Sequence, residues 1–294
     1  MPDFQTLQGV IAYTITPFTA DGAVDLTVYR QLLQRLLVAG VHAVAPLGST
    51  GALPYLSDLE RETILAETVE SVAGKVPVLT GVSSLTTERT IHHARFAESH
   101  GADALMIIPL SYWKLTEAEI VRHFETVAGA VSLPIMVYNN PATGGLDLAP
   151  EFLARLLQIP NVTMIKESSG DVNRFHRLIE LVGTEVAFYN GFNPLALEAF
   201  QAGAKGWCTA APNLIPRLNL EFHAAIQRGN WEEAASVFQR QLPLLRLLVE
   251  GGLPRTILAG LKSLGIEAGS PRPPLSPLVE ADAKRLGALL GTLV

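Results

Sequence analysis

Six lysines are spread over the 294 residues, and one of them, Lys166, closes an apolar run, NVTMIKESSG at 161–170. Lys75 and Lys205 lead into apolar runs instead, Lys262 and Lys284 fall in late helical patterns, and Lys114 sits in a polar loop. An ammonium at the end of a buried strand is costly to keep charged, and the neutral amine is a nucleophile suited to a Schiff base with a carbonyl. The bland alternative pairs Lys166 with Glu167, but neighbouring strand residues face opposite ways, which denies it that partner. Tyr138 closes the preceding apolar run, in PIMVYNNPATGG, 28 residues earlier. A phenol beside the amine can shuttle protons, and equally it can cap a hydrophobic core. A third element is Gly48-Ser49-Thr50-Gly51. Its glycines let the backbone approach a ligand, and its hydroxyl and N–H groups can hold a carboxylate, although Ser-Thr-Gly also makes an ordinary turn.

These groups need elements that bring them to one place. Short apolar runs at 10–16, 43–47, 78–81, 104–108, 135–138, 162–166, 186–189 and 206–209 read as strands buried on both faces of a parallel sheet. Helical patterns lie between them at 26–39, 58–73, 86–99, 117–130, 150–157, 171–181 and 194–202. Gly40, Gly74, Gly101, Gly183 and Gly203 stand where these helices stop. The alternation predicts an α/β fold, a (β/α)8 TIM barrel over 1–212, with additional C-terminal helices over 213–294 packed on it. In such a barrel the carboxyl ends of the strands face the active site, which is where Lys166, Tyr138 and the 48–51 loop fall. A doubly wound open sheet is the rival. It would carry a Gly-rich loop after its first strand, where this chain has TPFTADG.

Composition narrows the function classes. Hydrophobic residues at 48% against 17% charged exclude a disordered chain, and a net charge of −6 argues against coating nucleic acid. Cys208 is the lone cysteine, so no internal disulfide or Cys-rich zinc site is available. No apolar run reaches the ~18–20 residues that cross a bilayer, and MPDFQTLQGV lacks a basic-then-apolar leader. The expectation is a cytoplasmic protein with neither membrane nor nucleic-acid partner. His92-His93 falls in a helical pattern, where consecutive positions diverge, so no shared metal is expected. Leu242, Leu245 and Val249 at helical spacing predict a core or subunit contact, and PRPPLSP at 271–277 a stiff connector.

The Gly-Ser-Thr-Gly loop, Tyr138-Asn139-x-Pro141, Ile165-Lys166-Glu167 and Gly191 are specific in combination. Through them, from about residue 7 onward, the chain resembles the dihydrodipicolinate synthase/N-acetylneuraminate lyase superfamily of Schiff-base class I aldolases. The resemblance implies that Lys166 forms an imine with a 2-oxo acid such as pyruvate, with no metal or organic cofactor. It makes Tyr138 the proton carrier and Ser49 its relay, while Thr50 and the backbone of Gly48 and Gly51 hold the carboxylate. Gly191 and Cys208 match positions lining the far side of the pocket. Relatives also insert a tyrosine from a neighbouring subunit, for which Tyr112 is the candidate and Ser111 the alternative one residue away in register, and a homotetramer is the family expectation.

Two departures bear on substrate. Ala52 follows the loop where relatives commonly carry Glu. Thr143 stands five residues after Tyr138, where the lysine-biosynthetic branch carries an Arg that grips the second substrate's carboxylate. A hydroxyl does not replace a guanidinium fork, so aspartate-semialdehyde is disfavoured and Thr143 becomes a substrate-contact candidate. The expectation is a lyase that makes or breaks a C–C bond beside a 2-oxo acid, with an aldehyde as the other reactant, or dehydrates a sugar acid. The alternatives are a genuine dihydrodipicolinate synthase condensing pyruvate with aspartate-semialdehyde, and a non-catalytic oxo-acid binder.

Overall fold

The computed structural model of the protein describes residues 8–294, so the leader-free reading of the first residues falls largely outside the described ones. Its strands are β1 (Gly9–Tyr13), β2 (Ala43–Ala45), β3 (Leu79–Gly81), β4 (Ala104–Ile107), β5 (Ile135–Asn139), β6 (Val162–Glu167), β7 (Ala187–Asn190) and β8 (Gly206–Thr209). The first eight helices are α1 (Leu26–Ala39), α2 (Asp58–Val72), α3 (Thr87–Ser99), α4 (Glu117–Ala128), α5 (Pro141–Gly144), α6 (Pro150–Leu156), α7 (Asn173–Val182) and α8 (Ala196–Gln201). After β8 come α9 (Pro216–Gln227), α10 (Trp231–Glu250), α11 (Leu253–Ser263) and α12 (Glu280–Leu293). Eight strands alternating with helices, followed by C-terminal helices, are the (β/α)8 barrel class predicted above. Among the described residues no helix is long and apolar enough to cross a membrane.

The chain divides into two compact units, one containing Gly9–Val76 and Thr209–Val294, the other Pro77–Cys208. In the first, β1 pairs with β2 in parallel, Ile11 beside Ala43. β2 ends at Ala45, short of the expected 47, because Leu47 turns into the left-handed region at φ +59°. A capping box starts α2, with Ser57 N–H donating to Glu60 Oε2 at 2.8 Å and Glu60 N–H to Ser57 Oγ at 3.3 Å. The 271–277 stretch is more than a connector. Arg272 donates to both Glu60 oxygens, to Tyr55 O at 2.9 Å and to Gly22 O at 2.7 Å, and its guanidinium holds the Glu60 carboxyl down to about 2. The buried stripe of α10 runs through Gln241, Leu244, Leu245 and Leu248, while Val249 is 38% exposed. Of the predicted 242/245/249 stripe, Leu245 is in the core, while Leu242 and Val249 each lie one position, about 100°, past buried residues.

This unit also stores a pH dependence. His42 and His223 meet edge to face with centroids 4.7 Å apart, and His42 Nδ1 accepts from Val10 N–H at 3.1 Å. Burial first, and the neighbouring His42 second, push His223 down to about 4. An unfolded histidine titrates at about 6.5, so between there and about 4 the unfolded chain binds more protons and stability falls as pH falls. We expect a loss of about 2–3 kcal/mol across that window, read from urea midpoints, and a clearly flatter profile in His223→Gln. An unchanged slope in the variant would assign the effect elsewhere.

In the second unit β3 to β8 pair in sequence order, all parallel, with Leu79 beside Ala104, Leu105 beside Ile135, Tyr138 beside Lys166 and Lys166 beside Tyr189. Ile135, Met136 and Val137 are wholly buried, as continuous apolar runs require of strands covered on both faces. α5 lies in a stretch with no predicted element. Asn140 caps it, accepting from Thr143 N–H at 3.2 Å, and Pro141 occupies its first position. The His92 and His93 rings meet edge to face at 5.2 Å, closer than divergence along a helix predicts.

Candidate active site

Register and alternation decide which side chains meet. Partners in a parallel sheet share a face, so Tyr138, Lys166 and Tyr189 line one side of β5, β6 and β7, and Asn139, Glu167 and Asn190 line the other. On the first side Lys166 is 4% exposed and its Nζ lies 3.8 Å from the centre of the Tyr138 ring. The phenol oxygen accepts from Asn140 Nδ2 at 2.7 Å. Tyr189, wholly buried, flanks the lysine strand from β7, a neighbour the sequence reading did not single out.

On the other side Glu167 is fully engaged. It accepts from Asn139 Nδ2 at 3.0 and 3.2 Å, from Ser169 N–H at 2.6 Å and from Arg174 Nε at 3.1 Å. Arg174 also reaches Asp147 at 3.1 Å and the Leu148 carbonyl. The acid next to the lysine is therefore held away from it, as strand alternation predicts.

Gly191 follows β7 and donates its N–H to Glu167 O at 2.8 Å. A Cβ there would lie 2.6 Å from Lys166 Cε and collide with Ser168 Oγ, so the missing side chain is the space the lysine occupies. Ser168 Oγ is buried, and among the described residues it has no hydrogen-bond partner. Cys208, 2% exposed, lies on β8. Thr143 is exposed on α5, and Tyr112 is 88% exposed, its ring edge-on to Trp113 at 5.7 Å, with Ser111 half-buried beside it. Tyr138, Lys166 and Gly191 are thus assembled, and Tyr112 and Thr143 face outward. None of the strand-end residues 138–140, 166–169 and 189–191 is a histidine or cysteine, and the set is suited to amine and proton chemistry.

The Gly48–Gly51 loop is built in the other unit. Leu47 at φ +59° and Ala52 at φ +56° bracket it, two non-glycine residues in the left-handed region, at a cost of about 1–2 kcal/mol each. Such strain persists where the surroundings over-determine it. Here Thr16 Oγ1 donates to Gly51 O at 2.8 Å, and Ala52 N–H donates to Ser49 O at 3.2 Å. A Cβ on Gly51 would press on Thr14 O at 3.2 Å and Leu47 N at 3.3 Å. Ser49 is half-buried and Thr50 is 2% exposed. Among the described residues, no hydrogen bond is donated by the N–H groups of Ser49, Thr50 or Gly51. The loop therefore offers donors of the kind that hold an anion.

Comparison with known proteins gives one consistent answer. The Dihydrodipicolinate synthetase family profile matches residues 6–293. The 4-hydroxy-tetrahydrodipicolinate synthase of Methanospirillum hungatei JF-1 is 34% identical over 286 residues, covering 96% of this chain and 98% of the relative. A crystal structure from Pseudomonas aeruginosa, provisionally assigned as a dihydrodipicolinate synthetase, is 50% identical with a TM-score of 0.96 and covers 98% of this chain and 100% of that one. YagE, a prophage protein of this family from E. coli K12 solved in complex with pyruvate, is 31% identical with a TM-score of 0.91, covering 97% and 98%.

Proposed function

The chain belongs to the dihydrodipicolinate synthetase family, and from that premise we propose that it is a class I aldolase-type lyase in which the Lys166 amine forms an imine with a pyruvate-type 2-oxo acid. One observation carries the reading: a buried amine lies against a phenol while its neighbouring acid is tied up on the opposite face of the strand. The amine adds to the C2 carbonyl, and the carbinolamine sheds water. The protonated imine then draws the electron pair of a C3–H bond, giving an enamine that adds to an aldehyde to form a C–C bond; in reverse, the same enamine forms when that C–C bond breaks and the aldehyde leaves. Loss of a hydroxyl from a sugar acid uses the same enamine. The iminium is itself the electron sink, so this chemistry calls for no metal or organic cofactor.

Roles follow by resemblance. Tyr138 carries the proton and Ser49 relays to it. Thr50, with the backbone of Gly48 and Gly51, holds the carboxylate. Gly191 and Cys208 line the pocket. A second copy supplies Tyr112 or Ser111 in a cytoplasmic homotetramer. Thr143 offers no guanidinium to the second reactant, which supports an aldehyde other than aspartate-semialdehyde. Pyruvate bound to YagE supports the first reactant.

Borohydride reduction in the presence of pyruvate, followed by peptide mass mapping, tests the proposal. We expect one adduct, on Lys166. Pyruvate binding with no adduct would make the protein a binder instead. Gly191→Ala, which drives a methyl group into the lysine stem, should slow trapping about 10²-fold, as a misplaced nucleophile does. An unchanged trapping rate would show that the lysine has room to spare.

A further inference from the structure

From the geometry beside Tyr138 we infer that Asn140 is a positioning residue for proton transfer, its side-chain amide holding the Tyr138 oxygen in the state that takes a proton from the imine; this rests on the reading above. The orientation of that amide is fixed by the backbone. Asn140 Oδ1 accepts from Thr143 N–H at 3.2 Å, and an N–H can only donate, so the amide nitrogen must face the other way. There it donates to the Tyr138 oxygen at 2.7 Å. The phenol oxygen is thus an acceptor at this contact, and its single proton is directed elsewhere.

One side chain therefore links the helix start to the phenol. Its oxygen caps α5, whose first residue, Pro141, has no N–H of its own, and its nitrogen reaches the residue at the end of β5. A donor aimed at a phenol oxygen favours the phenolate over the phenol. On the face that Tyr138 lines, β6 brings Lys166, with Nζ over the ring face, and β7 brings the Tyr189 phenol beside Lys166, while β4 and α5 carry no titratable residue. Asp147, Glu167 and Arg174 gather around Asn139 on the opposite face.

The step served is the loss of a C3 proton from the pyruvate imine. The C3–H bond breaks toward the Tyr138 oxygen, which becomes the phenol. The electron pair forms C2=C3, and the iminium pair returns to the Lys166 nitrogen. In D2O the phenol exchanges and returns deuterium to C3, so the methyl group of pyruvate exchanges with solvent and no second reactant is required.

The test separates the amide's two jobs. Asn140→Ser keeps a capping oxygen for α5 but is too short to reach the phenol, and Asn140→Asp keeps the cap and replaces the donor by an acceptor. Deuterium exchange into pyruvate, followed by proton NMR across pH, is expected to show the rising limb moved up by about one pH unit in Asn140→Ser and further in Asn140→Asp. At pH 7 the serine variant should exchange about tenfold more slowly, with its borohydride adduct and melting temperature close to the parent's. A limb that superimposes on the parent's, or a slower rate explained by lower melting temperature alone, overturns the role of Asn140 and leaves it a helix cap. Failure of the parent protein to trap pyruvate would instead sink the 2-oxo-acid reading, and the inference with it.

Discussion

Lys166→Arg should abolish the borohydride adduct with pyruvate and lower enzyme-dependent exchange of the pyruvate methyl group by about 10⁴-fold or more. Arginine is the demanding replacement, because it puts a basic group on a long stem at a site 4% exposed beside the Tyr138 ring. Its guanidinium stays protonated and delocalised, and it cannot supply the lone pair that attacks a carbonyl. If charge alone mattered, as in an oxo-acid binder that holds its ligand electrostatically, the variant would retain most of its affinity and show no catalytic deficit to explain. Exchange within about tenfold of the parent would mean that the amine is not the nucleophile. The same measurement bears on Tyr138, since a phenol without an imine beside it has no acidic C3 proton to take.

What made this lysine legible was local. It is the lysine that ends an apolar strand, and strand alternation alone turns Glu167 to the other face, where Arg174 Nε meets it at 3.1 Å. The strand runs and the helix stops were legible for the same reason: Gly40 and Gly183 stand where α1 and α7 end. The partners of Glu167 were not. Arg174 comes from α7, the Asp147 that it also pairs with comes from the segment after α5, and no periodicity announces which cation a buried carboxylate will find. Asn140 was hidden for a different reason. In the motif Tyr138-Asn139-x-Pro141 it is the unspecified position, whereas one amide can cap a four-residue helix and reach back two residues to a phenol. Arg272 was likewise lost inside a proline-rich stretch that reads as a spacer.

The Glu167 cluster carries the largest stability prediction. Its side chain is 1% exposed and that of Arg174 12%, so the pair is buried well beyond the range in which ion pairs are worth little. Glu167→Ala would leave the guanidinium facing Asp147, whose side chain is 54% exposed, and would strip an acceptor from Asn139 and from the Ser169 N–H. We expect a loss of about 3–5 kcal/mol in urea denaturation, most of it the cost of losing the buried partner of the guanidinium and the acceptor of Asn139 and Ser169. The double variant Glu167→Leu with Arg174→Met should recover more than half of that loss, because two apolar groups leave no charge to desolvate. A cluster that acted only as glue would then release the site unharmed. The same residues, however, tie β6 to the Asp147–Leu148 segment and to Asn139, the neighbour of Tyr138, so the restored protein should still exchange pyruvate more slowly than the parent. Full recovery of both stability and exchange would show that the carboxylate serves the fold alone. Recovery of stability without exchange would show that the face turned away from the lysine sets the position of the face that carries it.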